Sequence, residues 1–399
     1  MSSTIFARLA DVADINPRLK KRPEGRELIS FVPMAAVDSE TATVASEERR
    51  FDEVRNGYTL FENGDLLLAK ITPCFENGKI AQALLSHQLG AGSTEFHVIR
   101  PDPDRLCGRY LLHFMRQPLV RLLGEMRMTG SGGQRRVPES FVAELRLPLP
   151  SVIEQSKMAA MLDRVDVLRV QRRKALAGLE ELADSVFHQL FGDPVKNPRE
   201  WDDSVQLEDV ADVSSGITKG RRVGAGSARS IPYLAVLNVQ DRAIDLSVIK
   251  YIDATEEEIK RYLLVREDLV ITEGGDPDKL GRGSLWLDEL PEAIHQNHVF
   301  RVRVKDRSKV LPLYLNWLLS SPRGKRYFLR SAKQTTGIAS INMSQLRRFP
   351  ILLPPVELQN EFAERIARIE KLKTAHWASL TELDALVASL QERFFRGAL

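Results

Sequence analysis

Apolar residues recur at steps of three and four along two long stretches of the chain. In the first they fall at Met158, Met161 or Leu162, Val165, Leu168, Ala175 or Leu176, Leu179, Leu182, Val186 and Leu190. In the second they fall at Phe362, Ile366, Ile369, Leu372, Leu380, Leu383, Leu386, Leu390 and Phe394. Held over about five heptads, this spacing predicts two helices with a narrow seam for another helix. Ser151 and Glu154 have the spacing of a capping box at the first start, while Pro354 and Pro355 pre-set the second. Gly192 and Pro194 stop the first helix. At about 1.5 Å per residue, each helix of roughly 38 residues spans about 57 Å. One seam position is polar in both, Arg172 and His376. Such residues either snorkel to solvent or fix register at some cost in stability.

The pattern ahead of each helix is different. Short segments rich in Val, Ile, Leu and Phe are broken by Gly, Pro, Asn and Asp. "DLLLAKI" and "FHVIRP" read as strands, and "GRYLLHFMRQPLVRLLGEM", from Gly108, reads as one helix. The fold class is therefore mixed α/β (α+β), with strands dominating the middle of each unit.

These blocks occur twice in the same order. "LADVADI" at Leu9 returns as "LEDVADV" at Leu207, and "ISFVPMAAVD" at Ile29 as "IPYLAVLNVQ" at Ile231. "FENGDLLLAKITPCFENGK" from Phe61 is answered more loosely by "VREDLVITEGGDPDKLGRG" from Val265. "FHVIRP" matches "NHVFRV" with His97 facing His298 and Arg100 facing Arg301. "YLLHFM" at Tyr110 returns as "YLNWLL" at Tyr314, and "LPLPSVIEQ" at Leu147 as "LLPPVELQ" at Leu352. The chain is a tandem duplication. The expected parts are a domain over 1–150, a helix over 151–192, a second domain over 193–355 and a second helix over 356–399. Two equivalent helices related by a pseudo-two-fold axis must run antiparallel, which predicts an antiparallel coiled coil with a domain at each end.

Composition adds boundaries. Apolar residues make up 43% and charged residues 28%, ordinary for a globular protein. No apolar run reaches about 18 residues and no apolar leader opens the sequence, so neither a membrane span nor a signal peptide is expected. Two cysteines, Cys74 and Cys107, fit a reducing cytoplasm better than a disulfide scaffold. A net charge of +3 makes any basic surface local.

Catalytic signals are weak. "GGDPDKLGRG" has neither P-loop nor dinucleotide spacing. No Gly-rich cofactor loop precedes an Asn-Pro-Pro-aromatic or Asp-Pro-Pro-aromatic motif, so amino-methyl transfer by this chain itself is not expected. His295 and His298 lie three apart in a segment that reads as a strand, with no cysteine nearby, which makes a poor zinc site. "QRRK", from Gln171, reads as a solvated helix face, with partner or DNA-backbone contact as the alternative.

The duplicated blocks resemble the specificity subunit of a type I restriction–modification system. The resemblance covers essentially the whole chain and rests on "GDLLLAKITPCFENGK", on "QTTGIASINMSQLRRFPILLPPVELQNEF" from Gln334, on its counterpart "GSGGQRRVPESFVAELRLPLPSVIEQ" from Gly130, and on the heptad tails. It implies two target-recognition domains, each reading half of a split DNA site, with helical spacers setting the gap. Implied partners are double-stranded DNA, two methyltransferase subunits that use S-adenosylmethionine, and restriction–translocation subunits that use ATP and magnesium. The chain itself would be non-catalytic and without a cofactor.

Residue types suited to DNA can then be sought. Bases are read in the major groove by Arg, Lys, Asn, Gln, Ser or Thr, and phosphates are held by Lys, Arg and hydroxyls. In the first half, Lys70, Thr72 and Lys79 qualify, with Ser131, Gln134, Arg135 and Arg136 in a loop of three glycines. In the second, Thr218, Lys219, Arg221, Arg222, Lys279, Arg282, Gln296 and Asn297 qualify, with Lys333, Gln334, Thr335, Thr336 and Ser340 in the loop matching 129–136. For any one of them a solvated surface role is the competing reading. The two loops differ, which predicts two different half-sites and an asymmetric target. A stand-alone nucleic-acid enzyme and a helical scaffold for proteins alone remain the alternatives.

Overall fold

The structure, a computed structural model, describes residues 5–19, 23–221, 228–275, 279–335 and 338–396. It divides into two compact units: residues 1–176 with 375–399, and residues 177–374. Each unit thus joins one α/β domain to a segment of each long helix.

In the first unit a four-stranded sheet runs in the order Ala13–Ile15, Phe96–Pro101, Leu66–Ala69, Ile80–Gln82, all antiparallel. A second sheet orders Glu47–Arg50, Leu28–Val32, Leu89–Gly92 and Thr59–Glu62, with one parallel pair in its middle. Leu66 to Ala69 are all buried, so the central strand is apolar without alternation. The second unit repeats the scheme: Ala211–Ser214, Val299–Val304, Leu269–Thr272 and Gly283–Leu285 form one sheet. Lys250–Thr255, Ala228–Leu234 and Ile294–His295 form the other, again with one parallel pair.

The register of the repeat differs from the expected one by two residues. Leu66 pairs with Ile99, and Leu269 with Val302. His97 therefore corresponds to Phe300, not His298, and Arg100 corresponds to Arg303, not Arg301. Side-chain chemistry agrees. Arg100 donates to both oxygens of Asp65, each at 2.8 Å, and Arg303 grips Asp268 in the same forked way at 2.7 and 2.6 Å. Both aspartates are almost fully buried, and each also caps its own turn by accepting from the Glu62 or Val265 backbone N–H.

The segment from Gly108 is two helices rather than one, Gly108–Met115 and Pro118–Arg127. Pro118 has no N–H to continue the first and holds Gln117 extended, so the second begins at its own N1 proline. The second unit breaks in the same way, into Pro312–Ser320 and Pro322–Ser331.

Both long helices have 40 residues, Val152–Phe191 and Val356–Phe395. The first start is the expected capping box: the Ser151 backbone N–H donates to Glu154, and Glu154 N–H to the Ser151 hydroxyl. Four residues into each helix a glutamine, Gln155 or Gln359, is 0% exposed. Gln155 accepts from Cys107 N–H and donates to the Arg105 and Pro150 carbonyls; Gln359 accepts from Leu311 N–H and donates to those of Lys309 and Pro354. Every polar group of a buried amide is thereby used, locking helix to domain in both units.

In the first unit Arg169 donates to Asp384 at 2.6 Å, and Arg172 Nη1 lies 3.3 Å from His376 Nδ1. In the second, Lys373 lies 2.6 Å from Glu180, and the Phe187 and Phe362 rings are 5.6 Å apart. Rising numbers on one helix meet falling numbers on the other, so within each unit the two segments run antiparallel. The seam is shifted from the expected one. Leu168 is 43% exposed and Leu372 52%, while the side chains of their neighbours Arg169 and Lys373 are mostly covered. The seam thus holds Arg169, Arg172 and His376 in the first unit and Lys373 in the second, each with a polar partner. Among the described residues no helix is long and apolar enough to cross a membrane.

Candidate nucleic-acid interface

The first unit gathers most of its candidate residues at one end of the central strand. Residues 70–79 connect Leu66–Ala69 to Ile80–Gln82, and residues 129–136 fold into a tight hairpin beside them. Thr129 and Arg136 exchange two backbone hydrogen bonds of 3.0 and 2.8 Å. Between them Gly130, Gly132 and Gly133 all have positive φ, a conformation open to glycine at little cost. The hairpin is tied to the neighbouring loop by Thr72 N–H to Arg135 O at 3.0 Å and Val137 N–H to Lys70 O at 2.8 Å. Phe75 inserts its ring where Gly124 has no side chain; a Cβ there would stand 2.3 Å from it. Loop, hairpin and helix are therefore packed against one another.

Side-chain partners sort the first-unit candidates. Arg136 grips the Glu95 carboxylate at 2.8 to 3.2 Å, and these hydrogen bonds hold Glu95 below its ordinary range. Lys79 donates to the Met34 carbonyl at 3.0 Å. Thr72 donates to Glu76, which lies 3.7 Å from Arg135. Arg136 and Lys79 are struts. Ser131 and Gln134, at the exposed tip, present their side chains to solvent, and Arg135 is half exposed. Lys70 is partly buried at the root of the loop, where its N–H donates to Glu95 O.

The second unit builds the same scaffold with other side chains. Lys333–Thr335 pairs with Ile338–Ser340, and that strand pairs with Gly274–Gly275. Gly274, Ser340 and Lys333 thus occupy the places of Ile71, Arg136 and Thr129, which are bridged in the first unit. Gln334 and Thr335 lie on the outgoing strand of this hairpin; Thr336 falls outside the described residues. The aromatic plug has changed sides. Here Phe328 of the helix fills the space above Gly281 of the loop, where a Cβ would approach the ring to 2.4 Å.

Arg282, placed like Lys79, donates to the Gln240 side chain at 2.6 Å and braces the domain. Lys279 is exposed on the loop. Arg221 is bidentate to Glu258, at 2.6 and 2.7 Å, and this partner pushes the carboxyl down to about 2. Thr218 is exposed, and Lys219 Nζ stands 5.2 Å from the centre of the Tyr233 ring. Arg222 falls outside the described residues. The "HQNH" segment is not one strand: Ile294–His295 ends, a turn follows, and Val299–Val304 begins. Gln296 and Asn297 are half-buried in that turn, with Asn297 N–H bonded to Ile217 O, which links them to the 215–221 loop.

Two histidines lie beneath these loops. His97 donates from Nε2 to Val137 O and accepts from Asn16 at Nδ1, so it is neutral, and burial lowers its pKa. His295 is fully buried; Nδ1 donates to Val299 O at 2.6 Å, and burial pushes it down to about 4. Glu95, Glu258 and Phe75 are the anchors of these loops. Each lies tens of residues from the group it holds, and no local pattern marks it. Among the described residues no three His, Cys, Asp or Glu side chains gather as a metal would require.

The "Type I restriction modification DNA specificity domain" matches residues 198–383. Over these residues, a little under half of its length, the chain is similar to the type I DNA-specificity family. The specificity subunit of the type I restriction enzyme EcoEI of Escherichia coli is 36% identical over 188 residues, covering 46% of this chain and 32% of that protein. The match thus spans about a third of that relative's length. The EcoKI specificity subunit of Escherichia coli strain K12 is 24% identical over 326 residues, covering 76% of this chain and 68% of that one. A chain solved in a study of complex assembly and conformational transition of the type I R-M system has a TM-score of 0.58 at 19% identity, covering 100% of this chain and 99% of that one. The S subunit of a type I restriction-modification system from M. genitalium has a TM-score of 0.55 at 13% identity, covering 100% and 98%. At such identity these two likenesses speak for the fold.

Proposed function

We propose that this specificity chain is the non-catalytic DNA reader of a type I restriction–modification complex. Each α/β domain reads one half of a split, asymmetric double-stranded site. The long helices set the gap and receive two modification subunits, which bring S-adenosylmethionine; restriction–translocation subunits bring ATP and magnesium.

One observation carries this reading. Two hairpins occupy the same topological place, each beside the strand end and the preceding helix, yet their sequences differ. In the first, Ser131, Gln134 and Arg135 stand at a tip of three glycines. In the second, the aligned positions 335, 338 and 339 are Thr, Ile and Ala, and Ala339 is fully buried where Arg135 is half exposed. A rigid scaffold with divergent tips is what half-site recognition needs, because base edges are told apart by donor and acceptor placement.

The test is selection from a random duplex library by the full chain with its modification subunits. Two separated, unlike motifs at a fixed gap are expected. Gln134→Ala should loosen one motif only, at about 1–3 kcal/mol for the base it reads. No enriched sequence would favour a protein scaffold instead.

A further inference from the structure

The two units differ in charge on the helix that leads into the hairpin. From Arg307 to Val356 the chain has nine Lys and Arg and no Asp or Glu. The corresponding first-half stretch, 103–152, has eight Arg and four acidic residues. Two of the differing positions share one exposed face. On the Pro322–Ser331 helix Gly324 and Phe328 face inward and are buried. Arg326 and Arg330, four residues apart, lie on the opposite side, about 200° round the helix from that line, and both are exposed. Neither has an ion-pair partner among the described residues. Their counterparts on Pro118–Arg127, 204 positions earlier, are Leu122 and Met126, both exposed.

A third arginine joins them. Tyr327 donates its hydroxyl to Gln345 O at 2.8 Å, and Gln345 donates to Ser331 O, so the short Met343–Arg347 helix is fastened to the basic one. Arg348, at its end, is exposed and close enough to Tyr327 to act on its hydroxyl electrostatically. Its first-unit counterpart is Glu144. Other basic residues of the stretch are used within the fold: Arg323 on Asp203 and the Pro350 carbonyl, Lys325 on Asp241, Arg347 on the Val213 carbonyl. Arg326, Arg330 and Arg348 are exposed without such use, and the helix bearing the first two runs directly into the Lys333–Ser340 hairpin.

We propose that Arg326, Arg330 and Arg348 form a phosphate-backbone clamp on duplex DNA, so that the second unit supplies sequence-independent affinity that the same face of the first lacks. This rests on the DNA-reading function proposed above. Guanidinium groups suit phosphates because their forked donors match two oxygens at once. Each phosphate neutralised releases condensed counterions, so the clamp has a signature that base readers lack.

The test measures binding of the full chain, with its modification subunits, to a random-sequence duplex and to a duplex bearing its selected motif, across a salt series. Arg326→Gln/Arg330→Gln/Arg348→Gln should flatten the plot of log affinity against log salt by about 2 to 3, at roughly 0.9 per phosphate. Affinity should fall by the same factor on both duplexes, with the motif unchanged. The triple Arg→Lys variant keeps the charges and should keep the slope, while Leu122→Gln/Met126→Gln should not move it. An unchanged slope in the Gln variant, or a loss confined to the motif duplex, would overturn the clamp while leaving DNA reading intact. If the unaltered complex bound neither duplex, the DNA-reading function itself would fall, and the clamp with it.

Discussion

Single residues carry the likeness between the units. Gln155 and Gln359, Asp65 and Asp268, and Arg100 and Arg303 keep their partners in both copies, because a buried polar group without a partner costs more than its hydrogen bond returns. His295 gives this a pH dependence. Its pKa is about 4 in the fold against an ordinary 6.5. As pH falls through 6.5 the unfolded chain takes up a proton that the fold refuses, so stability declines down to about pH 4. Between pH 7 and 5 the loss from this residue is about 2 kcal/mol. Denaturant unfolding at the two pH values checks it, and His295→Asn, which keeps a donor for Val299, should remove that share. An unchanged pH dependence in the variant would place the loss elsewhere. Much of this was hidden from the sequence. The repeat showed which blocks correspond but set His97 against His298. Sliding a strand by two residues preserves which side chains face the core, so hydrophobic pattern alone cannot reject the wrong register. The Arg–Asp forks reject it, but they join residues 35 apart.

At the scale of elements, long periodic segments were legible and short constrained ones were not. Both long helices stood out because forty residues of three-and-four spacing admit little else. Their seam was misplaced by one residue near the centre because Leu168 and Leu372 are apolar whichever way they face, and the partnered Arg169 and Lys373 take the inner places. The hairpins were found as glycine-bearing loops, yet their rigidity comes from rings seated on glycines, which no spacing reveals. The pair Gly78 and Gly281 measures that rigidity. Both have φ near +70°, at 70 and 68°. A Cβ on Gly78 meets only the Arg121 guanidinium at 3.2 Å, whereas on Gly281 it strikes the buried Phe328 ring at 2.4 Å. Gly78→Ala should cost about 1 kcal/mol of backbone strain. Gly281→Ala should cost that and a further 1–3 kcal/mol of overpacking. Equal losses in urea unfolding would mean that the ring moves aside freely.

For the molecule as a whole, duplication supplies two equal scaffolds and divergence supplies two different surfaces. The conserved parts are those that hold helix to domain and hairpin to strand; the divergent parts are the hairpin tips and the outer face of the preceding helix. That division is what a reader of a split site requires, and a protein scaffold would have no need to vary its tips so selectively. The most direct measurement is genome-wide mapping of methylated adenines by single-molecule sequencing, in cells that carry this chain with its modification subunit and in cells from which the chain alone is deleted. The account predicts a two-part asymmetric motif with a fixed gap, methylated only when the chain is present. A palindromic motif, or methylation that persists without the chain, would contradict it.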